Sequence, residues 1–341
     1  MIATESEMFA GAAAAPQPLA HALRHYEAID IDAYTAGLPR AWDLQYDQLS
    51  CGRFHGVFTE AVLPQMHLFR EVTNQTLRQR GAIGPGYIAL GVPTTARDDG
   101  YFGGQRVRLD TMLVGYGKID FCSPAQSDLM GVTVDAQLLQ DLWQRIHADR
   151  QVPWSAAPAG LAIPDGVMHA LRDRLWRALQ MSQVNPALVH DASSARLFQD
   201  ALLCELLETM SVGMPLTDIK SAAARRKIVQ KACDLVLSNP EAPISILDLC
   251  SQVGASRRKL QYCFQDALGM GPQRYLRAAR LNAVRRELRH AQESGLGVKD
   301  IAARWGFWHF SNFAADYKRQ FGELPSDTLK RATGESSDRQ H

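Results

Sequence analysis

Two stretches near the C-terminus share one apolar skeleton. An internal repeat constrains a fold strongly, because each copy must be a supersecondary unit with its own small core. Gln252–Pro272 reads QVGASRRKLQYCFQDALGMGP and Arg304–Pro325 reads RWGFWHFSNFAADYKRQFGELP. Asp248, Leu249, Val253 and Gly254 lie 52 residues before Asp300, Ile301, Trp305 and Gly306, whereas Leu260, Phe264, Gly269 and Pro272 lie 53 before Phe313, Tyr317, Gly322 and Pro325. The second copy therefore carries one extra residue just after its glycine.

The unit is helix, glycine turn, helix. Ser245-Ile-Leu-Asp248 has the form of a capping box opening an amphipathic helix, Gly254 supplies the turn, and Ser256 caps a second helix bearing Leu260, Phe264 and Leu268. That is a helix-turn-helix pattern, in which the second helix enters the DNA major groove. With Leu260 and Phe264 inward, Arg257, Arg258, Gln261, Tyr262 and Gln265 fall outward, and Arg and Gln suit bidentate contact with guanine and adenine. In the second unit the corresponding helix begins near His309. If Phe310, Phe313, Tyr317 and Phe321 form its docking face, His309, Ser311, Asn312, Ala315, Lys318 and Arg319 look outward. Small Ser311 and Ala315 make poor base readers, so this unit is expected to position the protein through phosphates. Trp308 is expected to be core or a polymerase-facing platform rather than a base reader. The units are joined by PQRYLRAARLNAVRRELRHA (Pro272–Ala291), with apolar residues at helical spacing and arginines between. A helix of ~16 residues spans about 24 Å. It could set two recognition helices near one DNA turn, ~34 Å, apart.

Charge supports a polyanionic partner. Residues 225–331 contain 19 Lys/Arg and 10 Asp/Glu, a surplus of nine, while residues 1–224 contain 17 and 24, a deficit of seven; the whole-chain charge of +1 hides this asymmetry.

The tandem units, the extra residue in the second turn and GELPSDTL after the last helix resemble the C-terminal domain of AraC/XylS-type bacterial transcription regulators. LNAVRREL (Leu281–Leu288), WGFWHFSNFAADYKRQFGELPSDTL (Trp305–Leu329), YDQLSCGRFHGVFTE (Tyr46–Glu60) and FREVTNQTLRQ (Phe69–Gln79) are most similar to the regulators of ethanolamine-utilisation operons. The resemblance implies an activator of a catabolic operon, double-stranded DNA and RNA polymerase as partners, a small-molecule effector, and homodimer contacts on helices after the sensor domain. It also implies cobalamin as co-effector, although no D-x-H-x-x-G cobalamin-ligating pattern occurs, so no cofactor is assigned from the residues themselves.

Residues 40–135 carry short strand signals (FHGVFTEAVL, MHLFREVT, YIALGVP, RVRLDTMLVGYG, SDLMGVTVD) separated by Gly, Pro, Asn and Asp. Repeated strands without intervening helices favour an antiparallel sandwich or barrel able to enclose a small molecule, and the resemblance implies a cupin-like one. Amphipathic helices follow at Val134–Ala148, Val167–Ser182 and Ala192–Ser211. The fold expected is α+β: a cupin-like antiparallel β-sandwich or barrel with helices, then an all-α tandem helix-turn-helix domain. The boundaries expected are a disordered 1–30, a sensing and dimerisation domain over 31–211, a linker over 212–224, a DNA-binding domain over 225–331 and a disordered tail over 332–341.

A barrel enzyme would bind metal through closely spaced ligands, but His55 and His67 are twelve apart and no H-x-H, G-x-S-x-G, Walker loop or dinucleotide fingerprint occurs. The chain is therefore read as a regulator and not as an enzyme or metal protein. A ligand-independent dimeric regulator, a different small metabolite as effector, and a metal-dependent barrel fused to a DNA-binding domain remain the alternatives. An ethanolamine-like effector is a small cation, and a buried cation wants a carboxylate or an aromatic face. Glu71 is the first candidate and Glu60 the second, with an ordinary surface ion pair the more common role for either. Six scattered cysteines with no C-x-x-C pair suit reduced thiols in a cytoplasm, and no ~20-residue apolar span predicts membrane insertion.

Overall fold

The computed structural model describes residues 22–39, 42–95, 100–147, 149–154, 159–216, 219–238 and 244–333. The N-terminal part runs β1 (Leu23–Ala28), α1 (Ile31–Gly37), β2 (Trp42–Gln48), β3 (Gly56–Leu63), β4 (Met66–Thr73), β5 (Leu77–Ile83), β6 (Tyr87–Pro93), β7 (Gly100–Phe102), β8 (Gln105–Val107), β9 (Thr111–Tyr116), β10 (Lys118–Ser123), β11 (Ser127–Asp135), α2 (Ala136–Ile146), β12 (Ala159–Ala162), α3 (Asp165–Val184), α4 (Ala187–His190), α5 (Ala192–Ser211) and β13 (Met214–Pro215). The all-helical C-terminal part follows as α6 (Ile219–Ser238), α7 (Ile246–Val253), α8 (Arg257–Leu268), α9 (Pro272–Arg289), α10 (Ala291–Ser294), α11 (Val298–Arg304), α12 (Phe310–Phe321) and α13 (Pro325–Ala332).

The strands form an eight-stranded sheet, β1-β3-β4-β11-β6-β9-β12-β13, and a five-stranded sheet, β2-β5-β10-β7-β8. Alternation along each strand decides what each face meets. On β4, Met66 and Leu68 enter a core with Leu139, Trp143, Met168, Leu175 and Leu206 of α2, α3 and α5. Phe69 and Glu71, on the opposite face, line the space between the two sheets. Gly131 of β11 makes room there, since a Cβ at that position would lie 2.0 Å from the Phe69 ring.

Three expected boundaries move. Residues 22–30 are not tail, because β1 pairs with β3 from Leu23↔Ala61 to Ala28↔Gly56 and Asp30 caps α1. Its mixed sequence LRHYEA hides the pairing. The span expected as linker holds β13, which pairs with β12, and the first residues of α6. Residues 1–21 and 334–341, expected to be disordered, lie outside the described residues.

The repeat folds as its pattern dictates. Ser245 caps α7 by accepting from the Asp248 amide, Gly254 ends it at φ +69°, and Ser256 caps α8 by accepting from the Lys259 amide. A left-handed turn of this kind strains any residue with a Cβ. In the second unit α11 ends at Trp305, Gly306 has positive φ, and α12 starts after His309. Leu249, Leu260, Cys263 and Phe264 fill one core, and Ile301, Phe313, Tyr317 and Phe321 fill the other.

The long helix α9 bridges both cores and also docks on the sheet domain. Asn282 donates to the Gln48 carbonyl (2.8 Å) and accepts from the Gln48 amide (3.0 Å). Arg286 reaches Asp47 at 2.6 Å, while Arg285, only 4% exposed, binds Asp30, Asp32 and Glu323. These arginines contributed to the basic surplus read from the sequence. Their charge is spent on acids of the N-terminal part.

Candidate functional site

The residues expected to face DNA are all exposed. Arg257, Arg258, Gln261, Tyr262 and Gln265 lie on the outer side of α8, and His309, Ser311, Asn312, Lys318 and Arg319 lie at the start and outer side of α12. Helix α8 opens with Arg257, Arg258 and Lys259, whereas α12 opens with the uncharged Phe310, Ser311 and Asn312. Arg319 also pairs with Asp316, which Arg277 holds from α9. One expectation is corrected and another narrowed. Phe310 is 38% exposed and is not part of the buried docking face, because the turn preceding α12 leaves it at the helix start. Trp308, 64% exposed, is not core; it projects from that same turn.

The second feature is an internal cavity of about 60 Å³ between the sheets. Its walls include Trp42, Tyr46, Phe69, Phe102, Leu113 and Phe121, and its polar edge is Glu71 with Gln79. Glu71 is buried and accepts three hydrogen bonds: from the Tyr34 hydroxyl (3.1 Å), the Tyr46 hydroxyl (3.0 Å) and the Gln79 amide (2.9 Å). All three donors are neutral, and no Lys or Arg pairs with Glu71 among the described residues. Burial pushes the Glu71 carboxyl above its ordinary value, although Gln79, Tyr46 and Tyr34 pull it back. Burial and the neighbouring carboxylate push the Tyr34 and Tyr46 hydroxyls well up, so both remain donors. A buried carboxylate without a counter-charge costs several kcal/mol unless a proton or a cation meets it. The aromatic walls supply the π-faces that attract a cation.

Glu60 does not line this cavity. It lies opposite Phe69, on the same sheet face as Glu71 but two rungs along β3, where it is buried against Arg24 at 3.0 Å, with His67 3.8 Å away. Tyr34, Tyr46, Gln79 and Trp42 were not read as site residues from the sequence. For Trp42, Tyr46 and Gln79 the only signal was alternation in WDLQYDQ and LRQRGAI, whose outward positions are as polar as a solvated strand's, and Tyr34 lies on the short helix α1. A corrinoid does not fit a cavity of about 60 Å³, the volume of a few heavy atoms.

Among the described residues no group of three or more His, Cys, Asp and Glu could hold a metal ion, and all six cysteines are free. No described helix is long and apolar enough to cross a membrane.

Residues 249–331 match the family described as "Helix-turn-helix domain". The "Probable thc operon regulatory protein" of Rhodococcus erythropolis is 39% identical over 103 residues, 30% of this chain and 31% of that protein. "XylDLEGF operon transcriptional activator 3" of Pseudomonas putida is 29% identical over 127 residues, 35% of this chain and 38% of that protein. The chain thus spans about a third of the length of these curated relatives. A solved structure of "a probable AraC family transcriptional regulator" from Rhodopseudomonas palustris is 31% identical, covering 31% of this chain and 96% of that one, with TM-score 0.29. Residues 249–331 are thus a helix-turn-helix domain similar to those of bacterial operon regulators.

Proposed function

We propose that the chain is a sequence-specific DNA-binding activator of a catabolic operon, gated by a small organic cation of the ethanolamine class held at Glu71. The observation that carries the DNA-binding part is the pair of helix-turn-helix units on one rigid helix, α9, with Arg257, Arg258 and Gln261 exposed on α8. The relatives from Pseudomonas putida are named as operon activators, which supports activation here. The gating part rests on the uncompensated carboxylate in an aromatic-walled cavity. In this reading Glu71 supplies the counter-charge, Trp42 and Phe69 supply π-faces, and the cavity's size restricts the ligand to a few heavy atoms. RNA polymerase and a second copy of the chain are the further partners, and the sheet domain is a cupin-like sensor.

Fluorescence anisotropy with DNA from upstream of the chain's own gene and its neighbouring operon tests this. Preference for that DNA over random duplex, changed by ethanolamine hydrochloride at constant ionic strength, is expected. Equal affinity for both duplexes refutes the DNA reading, and indifference to ethanolamine refutes the effector class.

A further inference from the structure

Backbone hydrogen bonds identify the extra residue of the second helix-turn-helix unit. After the glycine of each turn, the Ala255 amide donates to the Cys250 carbonyl at 3.0 Å and the Phe307 amide donates to the Ala302 carbonyl at 2.9 Å, so Ala255 and Phe307 are equivalent. Both turn inward: Ala255 is buried, and the Phe307 ring lies 5.1 Å from that of Phe313. The Leu260 amide then donates to the Ser256 carbonyl at 2.8 Å and the Phe313 amide to the His309 carbonyl at 2.9 Å, which makes Ser256 and His309 equivalent helix starts. Nothing stands between Ala255 and Ser256, and Trp308 alone stands between Phe307 and His309. Trp308 is the insertion.

The same register sets Phe310 where the first unit has Arg257, and Ser311 where it has Arg258. Residues at the start of a recognition helix are the ones that contact base edges. Where α8 holds out guanidinium groups, α12 therefore holds out a phenyl ring with an exposed indole beside it. Among the groups on the major-groove edges of the bases, the C5 methyl of thymine is the apolar one, and an aromatic side chain meets it by contact alone. Exposed Lys318 and Arg319 farther along the same helix favour a polyanion as the occupant of this face over an apolar protein surface.

Resting on the reading of the chain as a sequence-specific DNA-binding protein, we propose that Trp308 and Phe310 are specificity-determining residues that read thymine: their rings pack on the C5 methyl groups of one or two T·A pairs in the half-site under α12. Burying one methyl-sized group favours binding by about fourfold. A bidentate arginine or glutamine contact discriminates more strongly than that, so the half-site under α12 stays the weaker of the two while carrying a preference of its own. Phosphate contacts by Lys318 and Arg319 position the helix, and the two rings add the sequence information.

The probe is the duplex that the full chain binds best from a random-sequence pool, with copies in which each thymine of the half-site left unchanged by Arg258→Ala is replaced in turn by deoxyuridine. Deoxyuridine lacks only the C5 methyl, so pairing and phosphates stay as they were. The wild type should lose about fourfold in affinity at one or two of these positions and nothing at the rest. A chain carrying both Trp308→Ala and Phe310→Ala, two exposed positions, should melt as the wild type does and bind the thymine and deoxyuridine copies alike. Phe310→Arg gives the second unit the side chain of the first and should move the preference at one pair from T·A to G·C. A half-site without a thymine preference, or deoxyuridine copies all bound as tightly as the original, overturns the inference. So does a double variant that still discriminates thymine, or one that binds every duplex as the wild type does and loses only RNA polymerase recruitment, which would make the rings a polymerase platform. A wild type that prefers no duplex over another overturns the DNA reading itself, whereas one specific half-site under α8 and none under α12 overturns only the thymine contact.

Discussion

Glu71 stands in a cavity that gives it three neutral donors and no counter-ion. Its folded-state value is raised above the ordinary 4.5, so ionising it costs stability as pH rises through the raised value. Bound cation reverses that cost. Ethanolamine affinity is accordingly expected to fall as pH drops through the raised value, because protonation removes the counter-charge. Calorimetric titration across a pH series checks the slope. Glu71→Gln should keep the fold, lose the ethanolamine response and flatten that profile; a Gln variant that binds ethanolamine as the wild type does would remove Glu71 from the site. The chemistry a cation needs pointed to Glu71 first and to Glu60 second. Both stand on one sheet face, and only their place along it separates them, with Glu71 in the cavity and Glu60 two rungs away against Arg24.

Among the elements, the two recognition helices share a core pattern and differ in their outer faces. Phe313 is buried among Phe307, Tyr317 and the rest of the second unit's core, so Phe313→Ala should destabilise the C-terminal part by roughly 3–5 kcal/mol. Lys318 is exposed on α12, and Lys318→Ala should leave folding intact while weakening binding to operator and random DNA alike. Thermal melts and parallel titrations on the two duplexes separate these effects; an operator-specific loss with Lys318→Ala would assign it a base contact. The helices were readable because 3.6-residue periodicity, Ser caps and glycine stops agree over their whole length. Strands β2 and β5 were not. Asp47, Arg78 and Arg80 look like a solvated face in the sequence, yet they are buried or nearly so under α9, and no local pattern announces a partner more than 190 residues away. Strand β1 escaped notice for a related reason, since an edge strand needs little apolar residue to pair.

For the molecule as a whole, the acidic N-terminal part and the basic C-terminal part attract each other as well as attracting other partners. Asp30 and Asp47 are buried, and the C-terminal arginines around them hold their carboxyls below the ordinary 3.8 despite that burial. With folded values depressed, their contribution to docking is fully present above about pH 4 and is lost as pH falls through the lowered values. Small-angle scattering should show the two parts docked at neutral pH and separating only under stronger acid; separation near pH 6 would assign the dock to other groups. The basic residues left exposed, Arg257, Arg258, Lys259, Lys318 and Arg319 among them, are those available to phosphates.

Selection of bound duplexes from a random-sequence pool by the full chain is the most direct measurement of how that exposed surface works. Two unequal half-sites centred about one helical turn, ~10 base pairs, apart are expected, with most of the sequence information under one of them. Repeating the selection with Arg258→Ala or Gln261→Ala should relax one position of that stronger half-site, a loss of ~1–3 kcal/mol on the original sequence. Recovered pools no different from the input, or two half-sites of equal information that neither substitution changes, would contradict base reading by α8.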